Sequence, residues 1–66
     1  MKRGWEKKAD GSWIRQRGNR KVEIRKVGVK WYVELLEADK VKFDYDFDDE
    51  TFAFNTGQRW LAGESG

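Results

Sequence analysis

Between Val29 and Phe47 the chain repeats with a period of two. Val29, Trp31, Val33 and Leu35 alternate with Lys30, Tyr32 and Glu34. After a short break, Val41, Phe43, Tyr45 and Phe47 alternate with Lys42, Asp44 and Asp46. Side chains on a strand point to opposite faces in turn, so each run carries one apolar and one polar face. Two antiparallel strands joined at Glu37-Ala38-Asp39, with apolar faces on the same side, satisfy both runs. Such a sheet needs a second layer over its apolar side, and the rest of the chain has to supply it.

Upstream, the turn signals divide the chain into further strands. Asp10-Gly11 starts a turn, and Ser12 to Arg17 reads as a strand around Trp13. Gly18-Asn19 suits a two-residue hairpin with glycine first. Arg20 to Lys26 follows, with Val22 and Ile24 on one face and Lys21, Glu23 and Arg25 on the other. A two-residue loop at Val27-Gly28 sets Ile24 opposite Trp31, Val22 opposite Val33, Lys21 opposite Glu34 and Arg25 opposite Lys30. For the next hairpin, charge favours Leu36 opposite Lys40, which faces Glu34 with Lys42 and Lys30 with Asp46. The register that sets Glu34 against Asp44 opposes like charges and is disfavoured. Residues 1–9 form either a basic tail or a short extra strand anchored by Trp5.

After Phe47 two readings compete. A helix from Asp49 to Ala62 would be capped by Asp48, hold Asp49 and Glu50 in its positive first turn, and stop at Gly63. Phe52, Ala53, Thr56, Gly57, Trp60 and Leu61 would line one side, with Gly57 allowing close approach to the sheet. The alternative is a hairpin of Thr51–Phe54 and Arg59–Ala62 around Asn55-Thr56-Gly57, favoured by the poor helix propensity of Thr, Phe, Asn and Gly. The helix also provides the missing layer, and is preferred. Residues 64–66 are expected to fray.

The expected fold is therefore α+β, with all of residues 1–66 in one domain. It is an antiparallel β-meander of about four strands, a fifth near Trp5 being the variant, with one C-terminal helix packed on the apolar face. A small all-β barrel is the alternative. The expected core is Val22, Ile24, Val29, Trp31, Val33, Leu35, Val41, Phe43, Tyr45, Phe47, Ala53, Trp60 and Leu61. Trp13 joins it if the Gly18-Asn19 turn is strict, which also turns Arg15 inward.

Sixty-six residues lie near the lower limit for an unassisted core, and four Trp and four Phe make up much of the needed apolar surface. The absence of cysteine excludes disulfides and thiolate chemistry, and the absence of histidine removes the commonest general base and zinc ligand. Ser and Thr have no histidine to activate them, so no catalytic constellation is assigned. Asp44, Asp46 and Asp48 share a strand face about 7 Å apart at ~3.4 Å per residue, too far for one cation, and no metal or cofactor is expected. No apolar run approaches the ~20 residues that span a bilayer. The start Met1-Lys2-Arg3-Gly4-Trp5 lacks a signal segment, so a cytoplasmic location is expected.

Charge is distributed unevenly along the chain. Residues 1–30 hold eleven Lys and Arg against three Asp and Glu, a net of +8; residues 31–66 hold three against nine, a net of −6. Such asymmetry points to a polyanion-binding or partner-binding face. Cations with interleaved aromatics suit a nucleic-acid backbone. The candidate contacts are Trp13, Arg15, Arg17, Arg20, Lys21, Arg25 and Lys26. A lysine- and arginine-rich strand edge that discourages aggregation would look the same.

Trp13-Ile14-Arg15-Gln16-Arg17 on one strand, Val22-Glu23-Ile24-Arg25 on the next, and the junction Phe47-Asp48-Asp49 leading to Ala53 and Trp60-Leu61 resemble AP2-type domains and the arm-binding domains of phage-type integrases. The resemblance covers residues 12–62 and implies a sheet-plus-helix DNA-binding module. Arg15, Arg17, Arg25 and Trp13 would be the DNA contacts. Asp44 and Asp46 depart from that pattern, since they would repel phosphates.

The acidic half supports a different class of function, an inhibitor or adaptor that binds a basic partner protein. Its candidate residues are Tyr32, Glu34, Leu36, Asp44 and Asp46, with Phe54 as a further exposed anchor. The chain would then act as a monomer, or as a homodimer that sets one copy's basic strands against the other's acidic strand.

Overall fold

The computed structural model describes residues 4–64. Five strands precede one helix: β1 (Glu6–Lys7), β2 (Trp13–Arg17), β3 (Arg20–Val27), β4 (Lys30–Glu37), β5 (Lys40–Phe47) and α1 (Glu50–Leu61). The strands pair antiparallel in chain order, and α1 lies across one face, chiefly over β3 and β4. The fold is α+β, an open sheet with a helix rather than a barrel. The extra strand near Trp5 is present as β1, and Met1, Lys2 and Arg3 lie outside the described residues.

Turn chemistry sets the registers. Gly18-Asn19 is a two-residue turn with Gly18 at φ 61°, and it pairs Trp13 with Ile24 and Arg15 with Val22. Both Trp13 and Arg15 therefore face the helix. The next turn is Gly28-Val29, one residue later than expected, because glycine must take the left-handed first position, here φ 62°. Ile24 then faces Val33, Val22 faces Leu35, Lys21 faces Leu36 and Arg25 faces Tyr32. Val29 becomes a turn residue, 78% exposed, not a core one.

The β4–β5 register also differs from the expected one. Ala38 (φ 53°) and Asp39 (φ 65°) are both left-handed, so the loop is a two-residue turn of the type I′ kind that pairs Glu37 with Lys40. Continued unbroken, that pairing would set apolar Leu35 against Lys42 and Val33 against Asp44. A bulge between Leu35 and Leu36 removes the conflict: Lys42 is left over, Leu35 faces Phe43, Val33 faces Tyr45 and Trp31 faces Phe47. The consequence is that Glu34 faces Asp44, the pairing that charge alone disfavours. Apolar matching outweighs it, because burying a large side chain is worth about 1.5–3 kcal/mol and a cross-strand charge pair about 0.2–1 kcal/mol. Val41 and Phe43, expected in the core, are 49% and 41% exposed.

Local signals delimit α1. Asp49, not Asp48, is the N-cap; its Oδ1 accepts from Thr51 N at 2.7 Å and Phe52 N at 3.4 Å. Asp48 instead pairs with Lys30. At the other end Gly63 (φ 101°) closes a Schellman turn, with Gly63 N donating to Trp60 O and Glu64 N to Arg59 O. Glu64 is thus held in place, while Ser65 and Gly66 lie outside the described residues. The buried stripe is Ala53, Phe54, Gly57, Trp60 and Leu61. It shares Ala53, Gly57, Trp60 and Leu61 with the expected one but takes in Phe54 in place of Phe52, so Phe52 is exposed and Phe54 is core rather than an anchor on the outer surface.

Phe54 occupies the centre of the core. Its ring meets Trp5, Trp13 and Trp31 edge-on, at centroid distances of 4.9, 6.2 and 6.0 Å, a favoured aromatic geometry. Val22, Ile24, Val33 and Leu35 are fully buried beneath the helix. Trp5 completes this cluster, although its indole N–H has no acceptor among the described residues. The turn feeding β2 is tied down by Asp10, whose Oδ1 accepts from both Ser12 N (2.9 Å) and Ser12 Oγ (2.6 Å).

Candidate functional site

The alternation within each strand distributes the seven basic-half candidates over both faces of the sheet. Trp13, Arg15, Arg17, Arg20 and Lys26 face the helix side; Lys21 and Arg25 lie on the uncovered side. Arg20 is committed to the fold. Its guanidinium stacks 3.8 Å from the Trp60 ring, pairs with Glu37 at 3.3 Å, and donates through Nη1 to the carbonyls of Trp60 and Glu64, each at 2.9 Å. Arg15 lies 6.0 Å from the Trp5 ring. Trp13 and Trp31, both packed on Phe54, each carry a lysine 5.5 Å from the ring, Lys7 and Lys26 respectively. No single sheet face therefore gathers Arg15, Arg17 and Arg25 with Trp13.

The acidic-half candidates come together. Tyr32, Glu34, Leu36, Asp44 and Asp46 all lie on the uncovered face of the β4–β5 hairpin, Tyr32 opposite Asp46 and Glu34 opposite Asp44. Glu23 of β3 faces Glu34 from the other side. Three carboxylates, Glu23, Glu34 and Asp44, thus form one row across three adjacent strands. Beside it runs the row Arg25, Tyr32 and Asp46. Together these side chains line a shallow hollow of about 320 Å³.

Directly opposed side chains on neighbouring strands have Cβ atoms about 4.5–5.5 Å apart, and like charges there destabilise the pair. The middle member, Glu34, is half-buried and has an acid on each side. The row offers several acceptor oxygens to a cation that arrives from solvent. The Tyr32 ring can support an alkyl chain or guanidinium, and Arg25 marks one border. Glu23 was not anticipated as a member, because it stands among cations in the basic half; its parity with Lys21 and Arg25 was the available signal.

At the turn end of this face, Lys30 Nζ lies 2.8 Å from Asp48 and 3.9 Å from Asp46. Its hydrogen bond and attraction to Asp48 raise the Lys30 pKa above the ordinary lysine value. Asp10 is shifted the other way, held below the usual carboxylate range by its two hydrogen bonds from Ser12. Among the described residues no cluster of three carboxylates has the arrangement to hold a metal ion, and no helix is long and apolar enough to cross a membrane.

The likeness to AP2-type domains rests on the quoted sequence pieces alone. No family model matches the chain, and no curated protein or solved structure matches it.

Proposed function

We propose that this protein is a binding module that holds a cationic segment of a partner protein on the uncovered face of its sheet. The observation that carries this reading is the Glu23–Glu34–Asp44 row. Opposed carboxylates cost stability in the free domain, and a bound Lys or Arg side chain offsets that cost, so the arrangement favours the bound state. Tyr32 and Leu36 supply apolar surface beside the acids, as interface anchors do.

The test is Glu34→Gln, assayed for both stability and binding. The variant removes the shared charge of two opposed pairs. Its thermal midpoint should rise, while affinity for a short arginine-rich peptide should fall by about tenfold, the loss of one charge-assisted contact. A variant that is no more stable, or that binds the peptide as well as the parent does, would sink the proposal.

A second reading has its own support at the end of the helix-side face, where Lys7 stands over Trp13 and Lys26 over Trp31. Paired cations and rings suit a nucleic-acid backbone with a stacked base. This reading expects binding of single-stranded DNA or RNA that weakens steeply with salt, and that is lost in Lys7→Ala/Lys26→Ala but unaffected by Glu34→Gln.

A further inference from the structure

The outer edge of β5 is unpaired among the described residues, being the last strand of the sheet. Its two halves differ. The first half carries Lys40, Lys42 and the bulge, devices that discourage strand addition. The second half, Phe43–Phe47, is regular and carries no lysine, its charges being Asp44 and Asp46 alone. There Phe43, Tyr45 and Phe47 form a continuous aromatic row on the helix side, with neighbouring centroids 6.4 and 6.1 Å apart. Phe43 is 41% exposed. Between that row and α1 runs a groove of about 290 Å³ lined by Leu35, Tyr45, Phe47, Thr56, Trp60 and the ion pair of Arg59 with Glu64. On the opposite face the same stretch presents Asp44 and Asp46.

We propose that Phe43–Phe47 is a docking edge for an extended peptide that alternates apolar and cationic side chains and adds to the sheet as a sixth strand. Strand addition supplies main-chain hydrogen bonds, and the two faces of the added strand read different chemistry. Apolar side chains at every second position pack against the outer flank of the Phe43–Tyr45–Phe47 row. The cationic side chains between them fall on the other face, opposite Asp44 and Asp46. This extends the reading of the acidic face given above, and rests on it for the cationic half of the specificity.

Charge also argues against a second copy of this chain as the occupant. Antiparallel self-pairing centred on Tyr45 sets Asp44 against Asp46. Centring on Asp44 or Asp46 sets that carboxylate against its own copy. Centring on Phe43 would match Asp44 with Lys42, but Lys42 is the residue left out of the ladder by the bulge. Every regular self-register opposes carboxylates, whereas a peptide with cations at alternate positions neutralises them.

The test compares two capped six-residue peptides of equal composition, one alternating arginine and leucine, the other with three arginines followed by three leucines. Strand addition expects the alternating peptide to bind about tenfold more tightly, since only it satisfies both faces at once. It also expects the outward amides of Phe43–Phe47 to gain protection from hydrogen exchange on wild-type protein. Phe43→Thr should abolish the difference between the peptides while leaving the block peptide's affinity unchanged. Equal binding of both peptides, weakened by Glu34→Gln, would overturn the docking edge and leave the acidic-face reading standing. No binding of either would overturn both. A protein that sediments as a dimer with those amides already protected would assign the edge to a second copy and overturn the peptide proposal.

Discussion

The Arg20 guanidinium lies 3.8 Å from the ring of Trp60 and donates a 2.9 Å hydrogen bond to the carbonyl of the same residue. One side chain from the start of β3 thereby covers the aromatic face and adds a second donor to a helix C-terminal carbonyl that Gly63 N also reaches, at the end of the helix where positive charge is favoured. The Trp60 indole in turn donates to Leu36 O at 3.0 Å, next to the bulge. Helix end, β3 and the irregular part of β4 are joined through two residues.

Arg20→Ala should therefore destabilise the domain by about 1–3 kcal/mol, a range reduced because the Glu37 pair is partly exposed. Arg20→Lys should recover only part of this, since an ammonium cannot stack and donate in two directions as the planar fork does. Urea unfolding followed by tryptophan fluorescence measures both. An unchanged midpoint for Arg20→Ala would return this arginine to the pool of free cations.

Gly57 is a poor helix former placed where nothing larger fits. A Cβ there would stand 2.8 Å from Val22 Cγ1 and 3.0 Å from Trp5 Cη2. Gly57→Ala gains roughly 1 kcal/mol of helix propensity but overpacks the core at a cost of about 1–3 kcal/mol. Net destabilisation is expected. Because the clash is specific, adding Val22→Ala should cost less in the Gly57→Ala background than in the parent, a coupling that a double-mutant cycle reads.

Ala38 sits at φ 53°, a left-handed conformation that costs a non-glycine residue about 1–2 kcal/mol. Its N–H donates to Asn19 O at 2.9 Å, so the turn conformation is anchored from outside. Ala38→Gly, or Ala38→Asn, should raise the thermal midpoint by a few degrees. A lowered midpoint for both would show that the turn is not strained.

Two titrations should shape the pH profile of stability. The Lys30 pKa is raised by Asp48, so its contribution is present through neutral pH and is lost as pH rises above the ordinary lysine value of about 10.4. The Asp10 pKa is lowered by Ser12, so its contribution is present above the ordinary value of about 3.9 and is lost as pH falls below it. Asp48→Asn should flatten the alkaline limb, and Asp10→Asn the acid limb. Unfolding curves of the two variants from pH 2 to 11 test this, and a variant that leaves its own limb unchanged contradicts the assignment.

What could be read from the sequence was what neighbours along the chain decide. The period of two makes β3, β4 and β5 strands whatever lies beside them, Gly18 before Asn19 dictates a turn, and Gly63 stops α1 by local hydrogen bonds, whereas the structure moves the cap from Asp48 to Asp49 and the next turn from Val27-Gly28 to Gly28-Val29. The alternation also assigned Val33 and Leu35 to one face and Tyr32 and Glu34 to the other, so the acidic candidates were found together. Registers were another matter. A slip of two residues preserves every face, so alternation cannot choose among them, and a choice by charge selects the wrong β4–β5 pairing. The left-handed Ala38-Asp39 turn and the bulge at Lys42 decide it, because aligning the buried rows outweighs separating Glu34 from Asp44. The helix face had the same ambiguity. Phe52 and Phe54 are equally apolar, and only the seat among Trp5, Trp13 and Trp31 selects Phe54. Tertiary structure likewise gave the charged residues their roles: it ties Arg20 to Trp60, splits Arg15 from Arg25 across the sheet, and brings Glu23 from a basic strand into a row of carboxylates. Those relations depend on distances between strands, which no pattern along one strand contains.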